Sequence, residues 1–346
     1  MSRIKSDQFD FGLRDITIAQ APRPFKEHRL LVHKAGNDSN IHTRVEDIYS
    51  VLQPGDLLVF NNSRVFPASL YRDDVSFVLF MNPFDPRLKN VKAICPFKPA
   101  VGDVIEFPFA NIHIRAHEPG WDVYLVDVES VDPFPDLPSF LGRFGQMPMP
   151  IYLKRVPTAA DTAALQNFFA VEPGSIAPPV AGQHFSPELI QTLRRKGILT
   201  AEVTLHVGYG TFRSFKSEYI DQHEMDSELY SIPGSVIDTI KRVKRCGGRV
   251  IAVGTTSARV LETVGDRLPY QPIPQILRGE TSIFIYPGYI FNTIDGLITN
   301  FQYPRLPVIA MAAAITGIEE LRRVYDDAIV NNYMFYSYGD AMLLFR

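Results

Sequence analysis

Residues 250–262, VIAVGTTSARVLE, pass from an apolar strand through Gly254 into a helix that opens on Thr255, Thr256 and Ser257. A short apolar run suits a buried strand, glycine permits the sharp turn, and hydroxyl side chains favour a helix start. A strand running straight into a helix is the unit of an α/β layer. It also brings the unpaired N–H groups of the helix to the strand's carboxyl end. Open α/β sheets hold ligands there, and an anion or carboxylate is favoured. Thr255 and Thr256 are therefore candidate ligand contacts. Arg259, early in the helix, adds charge for a carboxylate. The alternative, that the threonines only cap the helix, fits this stretch equally well.

The same alternation continues on both sides. SPELIQTLRRK (186–196) has serine at the N-cap and proline at the first helical position, and it stops at Gly197. The strand AEVTLHV (201–207) follows. VIDTIKRVKR (236–245), with Ser235 as cap, ends at Gly247-Gly248 and leads into RVIAV. SIFIY (282–286) and GLITNF (296–301) read as strands, with helices from Val308 across the alanines and over 320–333. Near the start, Leu30–His33 and Asp56–Phe60 read as strands. Between about residues 64 and 148 the runs are short and alternating, as in VSFVLF, VKAICPF, NIHIRAH and WDVYLVDV. That spacing predicts a small antiparallel β-barrel or sandwich. The Pro-rich stretch between Pro133 and Pro150 predicts an extended connector. The expectation is an α/β fold: a larger domain of residues 1–63 and 149–346, its strands largely parallel, with residues 64–148 inserted as a small β-barrel domain.

Of the 346 residues, 46% are hydrophobic and 21% charged, the balance of a globular chain, and the net charge of −3 leaves any RNA affinity to a local patch. Cys95 and Cys246 are far apart and fit neither a disulfide framework nor a metal pattern, which suits a reducing compartment. The opening residues lack a secretory signal, and the apolar run around Val308–Ile318 is too short to span a bilayer. A cytoplasmic protein is expected, monomeric and with no membrane contact.

Several loops carry chemistry-bearing residues. In VTLHVGYGTF (203–212), Gly208 and Gly210 flank Tyr209, Thr211 follows, and His206 sits near the strand end. The lone G-x-G lacks the third glycine of a dinucleotide fingerprint. A histidine in such a place is more often structural than catalytic. GSIAPPVAGQHFSPE (174–188) is a Gly- and Pro-rich loop holding Gly182 and His184, suited to fixing a side chain against a substrate, though a plain connector would look the same. IDQHEMDSELY (220–230) carries His223, Glu224, Asp226 and Glu228, a set able to move protons or simply a solvated loop. The three loop histidines match no zinc-ligand spacing, so no metal is expected. Arg194, Arg195 and Lys196 end one helix, and Lys241, Lys244 and Arg245 end the next. The two ends could lie side by side and meet phosphates, although a helix dipole favours cations there in any case.

Taken together, PGDLLVFNNSRVFPA, MPMPIYLKR, VTLHVGYGTF, HEMDSE, VIAVGTTSARVLE, IFIYPGYIF, ITNF and FYSYGDAMLL resemble, in order, the motifs of the S-adenosylmethionine:tRNA ribosyltransferase-isomerase family of queuosine biosynthesis. The resemblance covers Phe9 to Leu344. It implies a larger α/β domain with an inserted β-barrel, no resident cofactor, and S-adenosylmethionine as ribosyl donor. The implied acceptor is 7-aminomethyl-7-deazaguanine in a tRNA anticodon. A base removes a proton from the ribose carbon beside the sulfonium, adenine leaves, the amine attacks, and rearrangement gives epoxyqueuosine and methionine. His184, His206, His223 and Glu228 are then the candidate acid–base groups, with His184 favoured as base. Gly182, Gly208, Gly210, Thr211, Thr255, Thr256, Arg259, Asn300 and Gln302 are candidates for holding substrate. Gln183, Tyr209, Asp226 and Gln302 stand where the family pattern has leucine, alanine, histidine and histidine. An RNA-binding member that kept the fold without the chemistry is the alternative reading.

Overall fold

A computed structural model of the chain describes residues 3–12, 16–73, 76–118, 122–208, 210, 214–265 and 275–346. The chain divides into two compact units. One comprises 1–63, 166–172 and 179–346; the other comprises 64–165 and 173–178. The second thus reaches past residue 148 and takes in the helix Ala159–Ala164.

The larger unit is built on a nine-stranded sheet. Its order is Ile276–Thr281, Glu228–Pro233, Leu199–Leu205, Leu57–Asn61, Val250–Val253, Gly296–Asn300, Ala341–Phe345, Arg29–Lys34, Ile41–Arg44. The four strands from Leu199–Leu205 to Gly296–Asn300 are mutually parallel. The Ala341–Phe345 strand enters antiparallel to Gly296–Asn300 and pairs in parallel with Arg29–Lys34. The sheet is therefore mixed, with a parallel centre. The central strands are apolar at nearly every position because both faces are covered. Leu57, Leu58, Val59 and Phe60 are all fully buried. Phe60 stacks on Phe169 at 4.0 Å and meets Phe185 edge-on at 5.0 Å. Leu189, Ile190 and Leu193 of the helix Pro187–Arg195 join the same core. The helix Thr255–Gly265 packs against the Leu199–Leu205 and Val250–Val253 strands.

The smaller unit holds a curled antiparallel sheet ordered Ser69–Tyr71, Phe77–Phe80, Val91–Ile94, Val123–Ser130, Ala110–His117, Val104–Phe107. The first and last strands do not pair with each other among the described residues, so the barrel is not closed by hydrogen bonds. One core, with Phe80, Ile112, Val126 and Phe140 at its centre, fills its concavity.

Three local expectations change. The Pro-rich stretch contains the helix Leu137–Phe144, capped by Asp136, whose side chain accepts from Ser139 N at 2.8 Å. Pro138 lies in its first turn, where no N–H is needed. The helix expected to start after Ser235 spans Gly234–Arg245, with Pro233 at the N-cap and Ser235 inside the first turn. Residues 282–286 are not a strand; the strand there is Ile276–Thr281, and SIFIY runs on as irregular chain. No helix among the described residues is long and apolar enough to cross a membrane.

Candidate functional site

The parallel strands end level with one another. Phe60 pairs with Val253, and Val253 with Ile298, so the turns that follow these strands share one edge. The central strand passes to Leu199–Leu205 on one side and to Val250–Val253 on the other, which makes this edge a topological switch point.

After the central strand, Asn61 Oδ1 accepts from the N–H groups of Ser63 at 3.0 Å and Leu205 at 3.1 Å, which locks two strand ends together. That turn presents Ser63 Oγ to His206 Nδ1 at 2.8 Å. Burial lowers the pKa of the half-buried His206 ring, and the Glu172 carboxylate opposes the shift. His206 is thus kept neutral near pH 7.

Gly254 adopts φ 91°, open to glycine and strained for other residues, and the helix starts at Thr255. A pocket lies against this helix start. Thr255, Thr256 and Arg259 line it on one side, Met225 and Ile283–Ile285 on another, and Pro307, Val308 and Met311 on a third. Thr256 is 6% exposed, and its Oγ1 is buried without a hydrogen-bond partner among the described residues. Arg259 forms a buried ion pair with Glu228, and its Nη2 and Nε donate to the carbonyls of Thr281 (3.1 Å) and Ile283 (3.3 Å). Glu228 Oε1 in turn accepts from Gly208 N at 2.6 Å. Gly210 stands against Asp226: a Cβ there would come within 2.5 Å of Asp226 Oδ2. The His223 ring is flanked by Phe215 and Phe284, each at 5.0 Å, and Phe284 is itself a pocket wall. Arg259 and Glu228 therefore neutralise each other and set the wall, and the helix start with Thr256 adds polar groups to the lining among the described residues.

His184 lies elsewhere on the same edge. It is 3% exposed; its Nε2 meets Asn300 Oδ1 at 3.1 Å and its Nδ1 meets His28 Nδ1 at 3.0 Å. Asn300 Nδ2 donates to Tyr336 O at 3.0 Å, which turns its oxygen towards His184. The Nε2–H tautomer of His184 follows, with Nδ1 accepting from His28. Burial lowers the His184 pKa to about 3, with His28 adding to the shift and Asn300 opposing it. Both ring nitrogens are occupied. Gly182 packs on Asn167, where a Cβ would meet Nδ2 at 2.8 Å. Gln302 is half-buried, and its N–H donates to the Tyr325 hydroxyl at 3.0 Å. Thr211 lies outside the described residues.

The basic helix ends are together, but at the opposite edge of the sheet. Gly55 N donates to Gly197 O at 2.9 Å and Leu57 N to Arg249 O at 2.8 Å, so the two ends flank the start of the central strand. There Arg194 donates to Thr200 Oγ1 and Arg195 to Thr192 Oγ1, Lys196 lies over the Tyr49 ring at 4.0 Å, and Lys244 pairs with Asp295 at 2.8 Å. Lys241 is half-buried and Arg245 exposed in the same turns. No cluster of three or more His, Cys, Asp or Glu suited to a metal ion occurs among the described residues.

Sequence reasoning missed His28, Ser63, Met225 and Phe284. Ser63 had a signal, because it closes the Asn-Asn turn after a buried strand. The other three meet the site through long-range packing.

This arrangement defines an α/β protein with a pocket beside a helix start at the carboxyl edge of a parallel sheet centre. Residues 6–344 match the model of the family described as queuosine biosynthesis protein, and the chain belongs to that family. It is 36% identical over 347 residues to an S-adenosylmethionine:tRNA ribosyltransferase-isomerase of Francisella tularensis subsp. mediasiatica, covering 99% of this chain and all of the relative. It is 39% identical over 353 residues to the protein of the same name from Acaryochloris marina, covering 97% of this chain and 92% of that one. The crystal structure of the S-adenosylmethionine tRNA ribosyltransferase of Thermotoga maritima is similar at a TM-score of 0.54 and 28% identity, over 97% of this chain and 99% of the other.

Proposed function

We propose that the chain is a tRNA-modifying transferase-isomerase. It moves the ribosyl part of S-adenosylmethionine onto 7-aminomethyl-7-deazaguanine in a tRNA anticodon and releases adenine and methionine. The observation that carries this reading is the match to relatives of that name along nearly the whole chain, at 36% and 39% identity. S-adenosylmethionine is consumed as a substrate, with no resident cofactor, and the setting is the cytoplasm.

The pocket supplies roles for this chain's own groups. The free N–H groups at Thr255 and the Thr256 hydroxyl take the methionine carboxylate. Met225 and Phe284 line the wall for the sulfonium, which an aromatic face attracts. His206, neutral and oriented through Nδ1 by Ser63, is better placed than His184 to accept the ribose proton. His184 is enclosed with both nitrogens engaged, and we assign it a positioning role through Asn300. Glu228 and Arg259 shape the turn at Gly208.

The test is incubation of the protein with precursor tRNA and S-adenosylmethionine, followed by nucleoside mass spectrometry and assay of free adenine. Epoxyqueuosine with equimolar adenine is expected. Binding of both substrates without either product would sink the enzyme reading and leave an RNA-binding member of the family.

A further inference from the structure

The loop after the Gly296–Asn300 strand carries two groups that the pocket does not use. The Tyr303 ring lies 3.9 Å from that of Tyr336, centroid to centroid, at an interplanar angle of 8°. Tyr336 is 3% exposed whereas Tyr303 is 38% exposed, so a buried ring backs an accessible one. The backing is firmly held: Tyr336 N donates to Phe301 O at 2.8 Å, and its carbonyl accepts from Asn300, which His184 and His28 fix in turn. Two residues after Tyr303, Arg305 has a buried Nε with no hydrogen-bond partner among the described residues. A buried guanidinium nitrogen without a protein acceptor calls for an oxygen from outside, of water or of a ligand, and the rest of the half-buried side chain reaches the surface. Arg305 and Tyr336 also adopt φ of 59° and 71°, a left-handed backbone that non-glycine residues keep only where the surroundings impose it.

Arg305 adjoins the pocket. Arg305 O accepts from Phe215 N at 2.9 Å, and the Phe215 ring lies 5.8 Å from that of Phe284, a pocket wall. Pro307 and Val308, just downstream, line the pocket themselves. A small molecule in that pocket has no need of an exposed ring outside it. A nucleic-acid loop does: unpaired bases stack on aromatic faces, and a guanidinium binds the neighbouring phosphate. The basic helix ends lie at the other edge of the sheet and leave this role unfilled.

We propose that Tyr303 and Arg305 form the tRNA-reading rim of the site, Tyr303 stacking a base next to the one being modified and Arg305 holding its phosphodiester. This rests on the reading of tRNA as substrate. The experiment is equilibrium binding of fluorescent precursor tRNA to the full chain at several salt concentrations, without S-adenosylmethionine. Tyr303→Leu, which still covers Tyr336, should bind about tenfold more weakly, and Tyr303→Phe like wild type. Arg305→Gln should lower the slope of log affinity against log salt by about 0.7, one phosphate contact on a single strand. S-adenosylmethionine affinity, measured by calorimetry, should hold in all three. Wild-type tRNA binding by both Tyr303→Leu and Arg305→Gln overturns the proposal. So does a loss confined to S-adenosylmethionine, which would give Arg305 to the methionine carboxylate. Absence of modified nucleoside from wild type, with tRNA binding still dependent on Tyr303, would count against the proposed reaction alone.

Discussion

The buried Thr256 hydroxyl makes no hydrogen bond among the described residues. Thr256→Val keeps the volume and removes that polar atom, so unfolding free energy should stay level or rise by about 1 kcal/mol. Calorimetry should at the same time show S-adenosylmethionine binding about tenfold more weakly, the worth of about one hydrogen bond. Retained affinity would mean that the hydroxyl faces an empty space. Arg259 is the opposite case. Arg259→Met strands the Glu228 carboxylate in the interior, and urea unfolding should show a loss of about 3–5 kcal/mol, the cost of a broken buried pair. His184 gives a pH dependence with a definite sign. Its folded pKa is depressed to about 3. The unfolded chain takes up a proton near pH 6.5, which the folded chain refuses, so stability is lost as pH falls from there towards about 3, at about 1.4 kcal/mol per unit. Burial pushes His28 in the same direction. Urea midpoints between pH 7 and pH 5 should therefore drop further in wild type than in His184→Gln. Equal drops would remove His184 from the account.

At the scale of elements, the two basic helix ends belong to the helix–strand turns at the amino edge. Reversing Lys241, Lys244 and Arg245 to glutamate removes the Lys244–Asp295 pair and opposes a helix dipole. Each reversed charge should cost about 0.3–1 kcal/mol of stability, while tRNA affinity measured by anisotropy should not change. A marked fall in affinity would bring the RNA across this edge. The elements also show what a linear reading can see. VIAVGTTSARVLE was legible because strand, turn and helix start are all local signals, and Ser186-Pro187 likewise marked its helix. The helix after Asp136 was hidden by prolines that look like breakers until one of them falls in a first turn. SIFIY alternates like a strand, yet its apolar residues face a pocket rather than a ladder. The threonines were legible as the helix start, and the structure puts them on a pocket wall. The bond between His184 and His28 was not, because the two rings are 156 positions apart and neither sits in a local pattern that names the other.

For the whole molecule, helix–strand alternation was enough to read an α/β protein, and the period-two runs were enough to read a β-rich segment within it. The mixed order of the nine strands was not readable, because nothing in AMLLF says that this strand enters beside Arg29–Lys34. That placement bears on how the protein is made. Among the described residues, the Ala341–Phe345 strand alone joins Arg29–Lys34 and Ile41–Arg44 to the rest of the nine-stranded sheet. Arg29 N donates to Asp340 Oδ1 at 2.9 Å across 311 positions of sequence. Synthesis runs at about 5–20 residues per second, so the first hairpin waits tens of seconds, its edge unpaired, for a partner still inside the ribosome. Completion of the sheet thus waits for its last-made strand. In a cell short of chaperones, the early hairpin is left open to pairing with another nascent copy.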